Sequence, residues 1–207
     1  MIDSIIFDVD GTIWDATAVI SDTWSRELSK EIGAEFSVSA DTLRQLFGKP
    51  MDVIMNALFP EYDDATRLRL ADRAFVTQAE CVRNEHIDLY EGLEDSLKGL
   101  YKKYPLFIVS NCEKGYIESL YYSTGIEKYF KDKLCYGDTM KYKAENIKTI
   151  IEKHGLKNPL YLGDTEGDHL AAKEAGCIFA WAAYGFGKPS GYDLKISKPS
   201  ELLNINL

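Results

Sequence analysis

Two rhythms of apolar and polar positions run along the chain, and the point where one gives way to the other divides it. Ile5-Ile6-Phe7 is a short continuous apolar run of the kind that fills a strand buried on both faces of a parallel sheet. From Ile20 the spacing turns helical: Ile20, Trp24, Leu28 and Ile32 recur one turn apart, and Gly33 supplies a stop. Ser39-Ala40-Asp41-Thr42 offers caps for a second helix through Leu43, Leu46 and Phe47, broken at Gly48-Lys49-Pro50, and a third is predicted over 51–58. Asp63 and Asp64 open a longer helix whose predicted apolar stripe is Leu68, Ala71, Phe75, Ala79 and Val82. Residues 14–88 therefore read as all helix.

The strand rhythm returns at Leu106-Phe107-Ile108-Val109, which ends in Ser110-Asn111. Lys133-Leu134-Cys135-Tyr136, Leu160-Tyr161-Leu162 and residues 177–182 repeat it, the second of these ending in Gly163-Asp164. Helical patterns are predicted over 93–101, 116–124, 144–154 and 168–175, and Gly125, Gly155 and Gly176 punctuate the last three. A short strand, Leu194-Lys195-Ile196, and a helical turn over 199–203 close the pattern. Strand and helix in strict alternation imply right-handed crossovers and an α/β, doubly wound parallel sheet covered on both faces. The alternation is interrupted once, so the expected organisation is an α/β core of residues 1–14 and 89–207 with a helical cap, 15–88, inserted over it.

Composition narrows the function. The chain of 207 residues is 45% hydrophobic and 28% charged, ordinary for a globular protein, and its net charge of -9 disfavours nucleic acid or an anionic membrane as partner. A small substrate is easier to reconcile with that charge. No basic leader precedes an apolar segment, and no apolar run nears the ~20 residues that span a bilayer, so a cytoplasmic protein is expected. Cys81, Cys112, Cys135 and Cys177 form no Cys-x-x-Cys pair, and His86, His154 and His169 show no paired ligand spacing. Reduced, packed thiols and structural histidines are the expectation.

Candidate chemistry lies at strand ends, where ligands of open α/β sheets bind. Asp8 and Asp10 follow the first strand, Ser110 and Asn111 the second, and Asp164 the fourth, with Asp168 opening the next helix. Taken singly, several have plain structural readings: Asp168 as a helix N-cap, Ser110 and Asn111 as turn residues, Lys143 as a solvated lysine. Asp8 has none, because a carboxylate ending a buried strand is costly unless a cation or a proton neutralises it.

Together, Asp8-Val9-Asp10-Gly11-Thr12, Ser110, Lys143 and Gly163-Asp164 with Asp168 resemble the four ordered motifs of the haloacid dehalogenase superfamily. The helical insertion is similar to the C1 cap of its phosphoglycolate phosphatase-like hydrolases. That resemblance implies a Mg²⁺-dependent phosphatase acting on a small phosphorylated metabolite, as a monomer or homodimer. It implies Asp8 as the nucleophile that becomes an aspartyl phosphate and Asp10 as the general acid and base. Mg²⁺ would be held by Asp8, Asp164 and the main-chain carbonyl of Asp10. Ser110, Asn111 and Lys143 would grip phosphoryl oxygens, with Asp168 and Thr12 supporting them from behind. Lys141, two residues from Lys143, is the alternative for the third motif.

Asp10 favours phosphate esters over dehalogenation, since true dehalogenases of the superfamily lack an acid there. A β-phosphoglucomutase-like phosphomutase and a non-catalytic binding protein of the same fold are the other readings. Specificity is expected from the cap, with Lys49 reaching an anionic leaving group. Trp14 is expected either to wall the entrance or to pack at the hinge, and Tyr184-Gly185-Phe186-Gly187 to form a rim.

Overall fold

The structure, a computed structural model, describes residues 1–205. Six strands form one wholly parallel sheet in the order β3-β2-β1-β4-β5-β6: β1 Ser4–Phe7, β2 Leu106–Ser110, β3 Asp132–Cys135, β4 Pro159–Gly163, β5 Ile178–Ala182 and β6 Leu194–Ile196. The order reverses at β1, so the ends of β1, β2 and β4 open a crevice at the topological switch point. Side chains alternate across the sheet as the pleat requires. Ile6, Phe107, Tyr161 and Phe179 stack on one face, where α8 (Lys143–His154) and α9 (Glu166–Ala175) cover them. Ile5, Phe7, Ile108 and Leu162 point to the other, into a larger core that runs on into the preceding helices. An alanine at a fully buried position such as Ile6 would cost about 2–5 kcal/mol.

Four helices follow β1 before the βα rhythm resumes with α5 (Leu93–Leu100) and β2: α1 Thr17–Ile32, α2 Ala40–Leu46, α3 Met51–Leu58 and α4 Asp64–Asn84. Their ends follow local chemistry. Gly33 adopts the left-handed conformation that closes α1, and Ser39 and Asp63 accept hydrogen bonds from the Thr42 and Thr66 amides to open α2 and α4. The face of α4 differs from the one expected. Leu70, Ala74, Thr77, Gln78 and Val82 are buried, whereas Leu68 is 66% exposed and Ala71, Phe75 and Ala79 are only half-buried. Both stripes have helical spacing. Packing against α1, where Trp24 Nε1 donates to the Ala74 carbonyl at 3.2 Å, decides which one enters the core.

After α4 come α5 (Leu93–Leu100), α6 (Tyr116–Thr124) and a short α7 (Tyr136–Thr139) that the apolar pattern did not indicate. Ser96 of α5 donates to the Pro199 carbonyl and so fastens the closing turn, residues 199–204, to the core. Among the described residues no helix is long and apolar enough to cross a membrane.

Candidate active site

Asp8 continues the β1 ladder, its amide donating to the Leu162 carbonyl at 2.9 Å, and this brings its carboxylate beside the end of β4. There Asp8, Asp164 and Asp168, all buried, each place a carboxylate oxygen within 4.8 Å of the others. Lys143 lies among them, Nζ 2.6 Å from Asp168 Oδ1 and 2.9 Å from Asp8 Oδ1. A cation in the first turn of a helix opposes the dipole, and burial removes its hydration. The lysine is nevertheless only 3% exposed, so it is not a solvated side chain; the carboxylates offset both costs. Lys141 is exposed, and its backbone is taken up by Thr139 and Asn146.

Asp168 is not an N-cap. Thr165 caps α9, and Asp168 at the third helical position completes a reciprocal capping box. Its Oδ2 accepts from the Thr165 hydroxyl (2.6 Å), the Thr165 amide (2.9 Å) and the Asp164 amide (3.2 Å). Its Oδ1 accepts from Lys143, with the Tyr161 hydroxyl at 3.2 Å. Both oxygens of Asp168 are thus engaged.

Asp8 and Asp164 differ. Asp164 Oδ2 accepts from the amides of Phe186 (2.7 Å) and Gly187 (3.3 Å), but its Oδ1 is buried without a donor. Asp8 Oδ1 also lacks a directed hydrogen bond, its contact with Lys143 being electrostatic and off the bonding directions. The expected rim at 184–187 is instead a clamp on Asp164. A Cβ on Gly185 would collide with the Gly11 carbonyl and Asp164, and one on Gly11, at φ 77°, with the Asp164 carboxylate.

Asp10 stands apart from this cluster. Its Oδ1 accepts from the Tyr116 hydroxyl at 2.7 Å and from Trp14 Nε1 at 3.2 Å. Trp14 is fully buried, edge-on to Tyr116 at 5.9 Å, so it packs and positions Asp10 and does not wall an entrance.

Electrostatics follow the geometry. Burial, then the charge of Asp168, push Asp8 up to about 6 against the pull of Lys143. Burial, then Asp168 and Asp8, drive Asp164 well above the usual carboxylate range. Burial also acts on Asp168, but the charge and hydrogen bond of Lys143 and the Thr165 bonds hold it below that range. Asp10 is pushed up to about 7, chiefly by burial, with the Tyr116 hydrogen bond opposing. Three buried carboxylates against one ammonium leave the cluster short of positive charge.

The other expected site residues sit nearby with different attachments. Ser110 Oγ accepts from the Cys112 amide at 3.3 Å. Asn111 Nδ2 donates to the Gly48 carbonyl at 2.9 Å, tying the strand end to the α2–α3 turn, and its Oδ1 has no partner. Thr12 is fully buried with an unpartnered hydroxyl, and its carbonyl accepts from the Tyr184 hydroxyl at 3.0 Å. Lys49 is exposed, at the mouth of a cavity of about 40 Å³ that Asp10, Ser110, Asn111, Gln78 and Glu113 also line.

Tyr116, Tyr161 and the Phe186 and Gly187 amides were not anticipated. Nothing local marks Tyr116, which meets Asp10 across 106 residues. Gly185 and Gly187 were visible, but not what they clasp.

Magnesium fits the residues present. The two orphaned oxygens, on Asp8 and Asp164, are hard donors in an over-acidic cluster, the environment this ion prefers.

A six-stranded parallel sheet with acids gathered at its switch point, under an inserted helical layer, defines a class of α/β hydrolases. The model of haloacid dehalogenase-like hydrolases matches residues 5–182, and the chain belongs to that family, as a phosphoglycolate phosphatase-like member of it. The chain is 29% identical to the phosphoglycolate phosphatase of Vibrio parahaemolyticus, across 97% of this chain and 94% of that one. It is 28% identical to that of Vibrio vulnificus, across 98% and 95%. Among solved structures it resembles a predicted phosphoglycolate phosphatase from Haemophilus somnus (TM-score 0.86, 20% identity, 98% and 97% covered). It also resembles a haloacid dehalogenase-like hydrolase from Streptococcus pneumoniae (TM-score 0.84, 23% identity, 98% and 97% covered).

Proposed function

We propose that this hydrolase is a Mg²⁺-dependent phosphatase that releases inorganic phosphate from a small phosphate monoester through an aspartyl-phosphate on Asp8. One observation carries the reading: the buried carboxylates of Asp8 and Asp164 gather beside a buried lysine, and Asp10, two residues beyond Asp8, lines a cavity together with Ser110. Asp8 attacks phosphorus. Asp10, raised by burial to about 7 so that a large fraction keeps its proton near neutral pH, and oriented by Tyr116 and Trp14, protonates the leaving oxygen and then takes a proton from the attacking water. Lys143 and Ser110 meet the phosphoryl oxygens, and Asp168 fixes Lys143. Asp8, Asp164 and the Asp10 carbonyl hold Mg²⁺, which when bound neutralises charge on the transferring group.

Thr12 supports the Asp8 turn. Asn111 reaches the phosphate only through the part of its side chain not spent on Gly48. Residues 15–88 act as a cap on a core of 1–14 and 89–207, and Lys49 at the α2–α3 turn approaches the leaving group. The test is phosphate release from p-nitrophenyl phosphate and a panel of small monoesters, with and without Mg²⁺. Mg²⁺-dependent turnover is expected. A folded protein that releases no phosphate from any of them would refute the reading.

A further inference from the structure

Among the apolar residues that line the cavity with Asp10, three side chains bring acceptor oxygens: Gln78, Asn111 and Glu113. Gln78, on the buried face of α4, is 8% exposed, and its Oε1 has no hydrogen-bond partner. Asn111 Oδ1 is likewise buried and unpartnered, its amide orientation set by the bond from Nδ2 to Gly48. Glu113 brings a half-buried carboxyl to the same space. Burial, followed by the charges of Asp52 and Asp72, pushes that carboxyl up, so it gains from any donor that reaches it. Among the described lining residues the ammonium is that of Lys49, which is exposed. Met51 and Glu113 also border an adjoining groove of about 510 Å³ between α3, α4 and residues 136–140, so a longer leaving group has somewhere to extend.

A buried acceptor left unmade is costly, and a ligand that supplies its proton recovers that cost. A carboxylate in the same place would set oxygen against oxygen. Resting on the phosphatase reading, we infer that Gln78, Asn111 and Glu113 form a leaving-group subsite that selects alcohols carrying hydrogen-bond donors, hydroxyl or ammonium, over alcohols that carry a carboxylate. In the reaction the P–O bond to the alcohol breaks and the alcohol oxygen takes a proton. Water supplies the oxygen that leaves as inorganic phosphate. Gln78 and Glu113 touch only the alcohol, while Asn111 stands between it and the phosphate. The subsite therefore sets which monoester is taken, without altering the chemistry at Asp8.

The experiment compares kcat/KM for glycerol 3-phosphate, O-phosphoethanolamine, phosphoglycolate and p-nitrophenyl phosphate in the Mg²⁺-loaded protein, its Gln78→Leu variant and its Gln78→Glu variant. One of the two donor-bearing esters is expected to exceed phosphoglycolate by about tenfold, the worth of one well-placed hydrogen bond. Gln78→Leu collapses that ratio. Gln78→Glu, which keeps an acceptor and adds charge, shifts preference toward O-phosphoethanolamine, separating ammonium from hydroxyl recognition. Phosphoglycolate as the best ester, or a folded Gln78→Leu with the wild-type ratio, would overturn the subsite and leave the phosphatase standing. If Gln78→Leu does not fold, an unchanged ratio in Gln78→Glu overturns it instead. Turnover of none of the four, p-nitrophenyl phosphate included, removes the phosphatase reading and the subsite with it.

Discussion

Two charge clusters in this molecule are near mirror images. On α1, Glu27 is met by three cations, Arg26, Lys30 and Arg73, the last reaching across from α4. At the strand ends Lys143 faces three acids, Asp8, Asp164 and Asp168. The partners of Glu27 are 42–63% exposed, so water carries their surplus charge, and hydrogen bonds from Lys30, Arg26 and Arg73 hold Glu27 down to about 2. The acids around Lys143 have no such outlet. Two of them are pushed up; Asp164 retains an oxygen with no donor, and the Asp8 oxygen beside Lys143 is met off the bonding directions. A satisfied cluster fastens two helices. An unsatisfied one in a buried crevice is poised to take a cation and a substrate.

The sharpest way to break this contrast is Asp8→Asn. It should abolish phosphate release, a loss on the order of 10³-fold or more, because the nucleophile is gone. It should leave the fold intact or more stable in the absence of Mg²⁺, since one buried charge is removed. A variant retaining more than a few per cent of wild-type turnover would place the nucleophile elsewhere. Asp10→Asn should slow alkyl phosphates by about 10²–10³-fold and p-nitrophenyl phosphate much less, because a good leaving group needs little protonation. With Asp10 raised to about 7, the protonated acid is available below that pH and lost above it, so wild-type turnover of alkyl esters should fall on the alkaline side of about 7. Equal slowing of both ester types would argue against acid catalysis by Asp10.

Lys143→Met tests the crevice as structure. Removing the one cation from buried acids should cost about 3–5 kcal/mol in urea unfolding. A loss under about 1 kcal/mol, the size expected of a surface pair, would mean the acids relax into water.

Mg²⁺ tests the same shortage from the other side, and at 100 times its dissociation constant it should stabilise by about 2.7 kcal/mol. Without the ion, the raised Asp8 favours its neutral form in the fold. Its contribution to stability should therefore decline as pH rises from 3.8 through about 6, and Mg²⁺ should suppress that decline. Thermal melts with EDTA and with Mg²⁺ across that range report both.

Glu27 gives the smallest effect and the opposite sign. Its folded value lies below the ordinary 4.5, so its stabilisation is complete above about 4.5 and is lost as pH falls toward 2. Acid unfolding of Glu27→Gln should begin from a slightly lower stability and show a shallower slope. An identical slope would show that the cluster contributes nothing.

What could be read before any coordinates is what local chemistry controls. Buried parallel strands need continuous apolar runs, so β1, β2 and β4 were plain, and the left-handed Gly33, Gly125, Gly155 and Gly176 closed helices where they stood. The acids at strand ends were visible because nothing structural explains a carboxylate following Ile5-Ile6-Phe7. Helix α4 was harder: its two apolar stripes have the same period, and only packing against α1, α3 and α6 chose Leu70 and Ala74 over Leu68 and Phe75.

The division is clearest at the doublet that ends β1. The sequence by itself determined that Asp8 and Asp10 stand at the mouth of a buried strand and need neutralising, because burial energy depends on residue type and position along the strand. The tertiary structure decided how each is served. Lys143 and Asp164 come to Asp8, and Tyr116 and Trp14 to Asp10, through strands and helices up to 156 residues away. It also decided which acceptors line the cavity, since Gln78 and Asn111 become neighbours only when the helices close over the sheet. Partners so distant leave no periodic trace along the chain, and only the packing of the core brings them within hydrogen-bonding range.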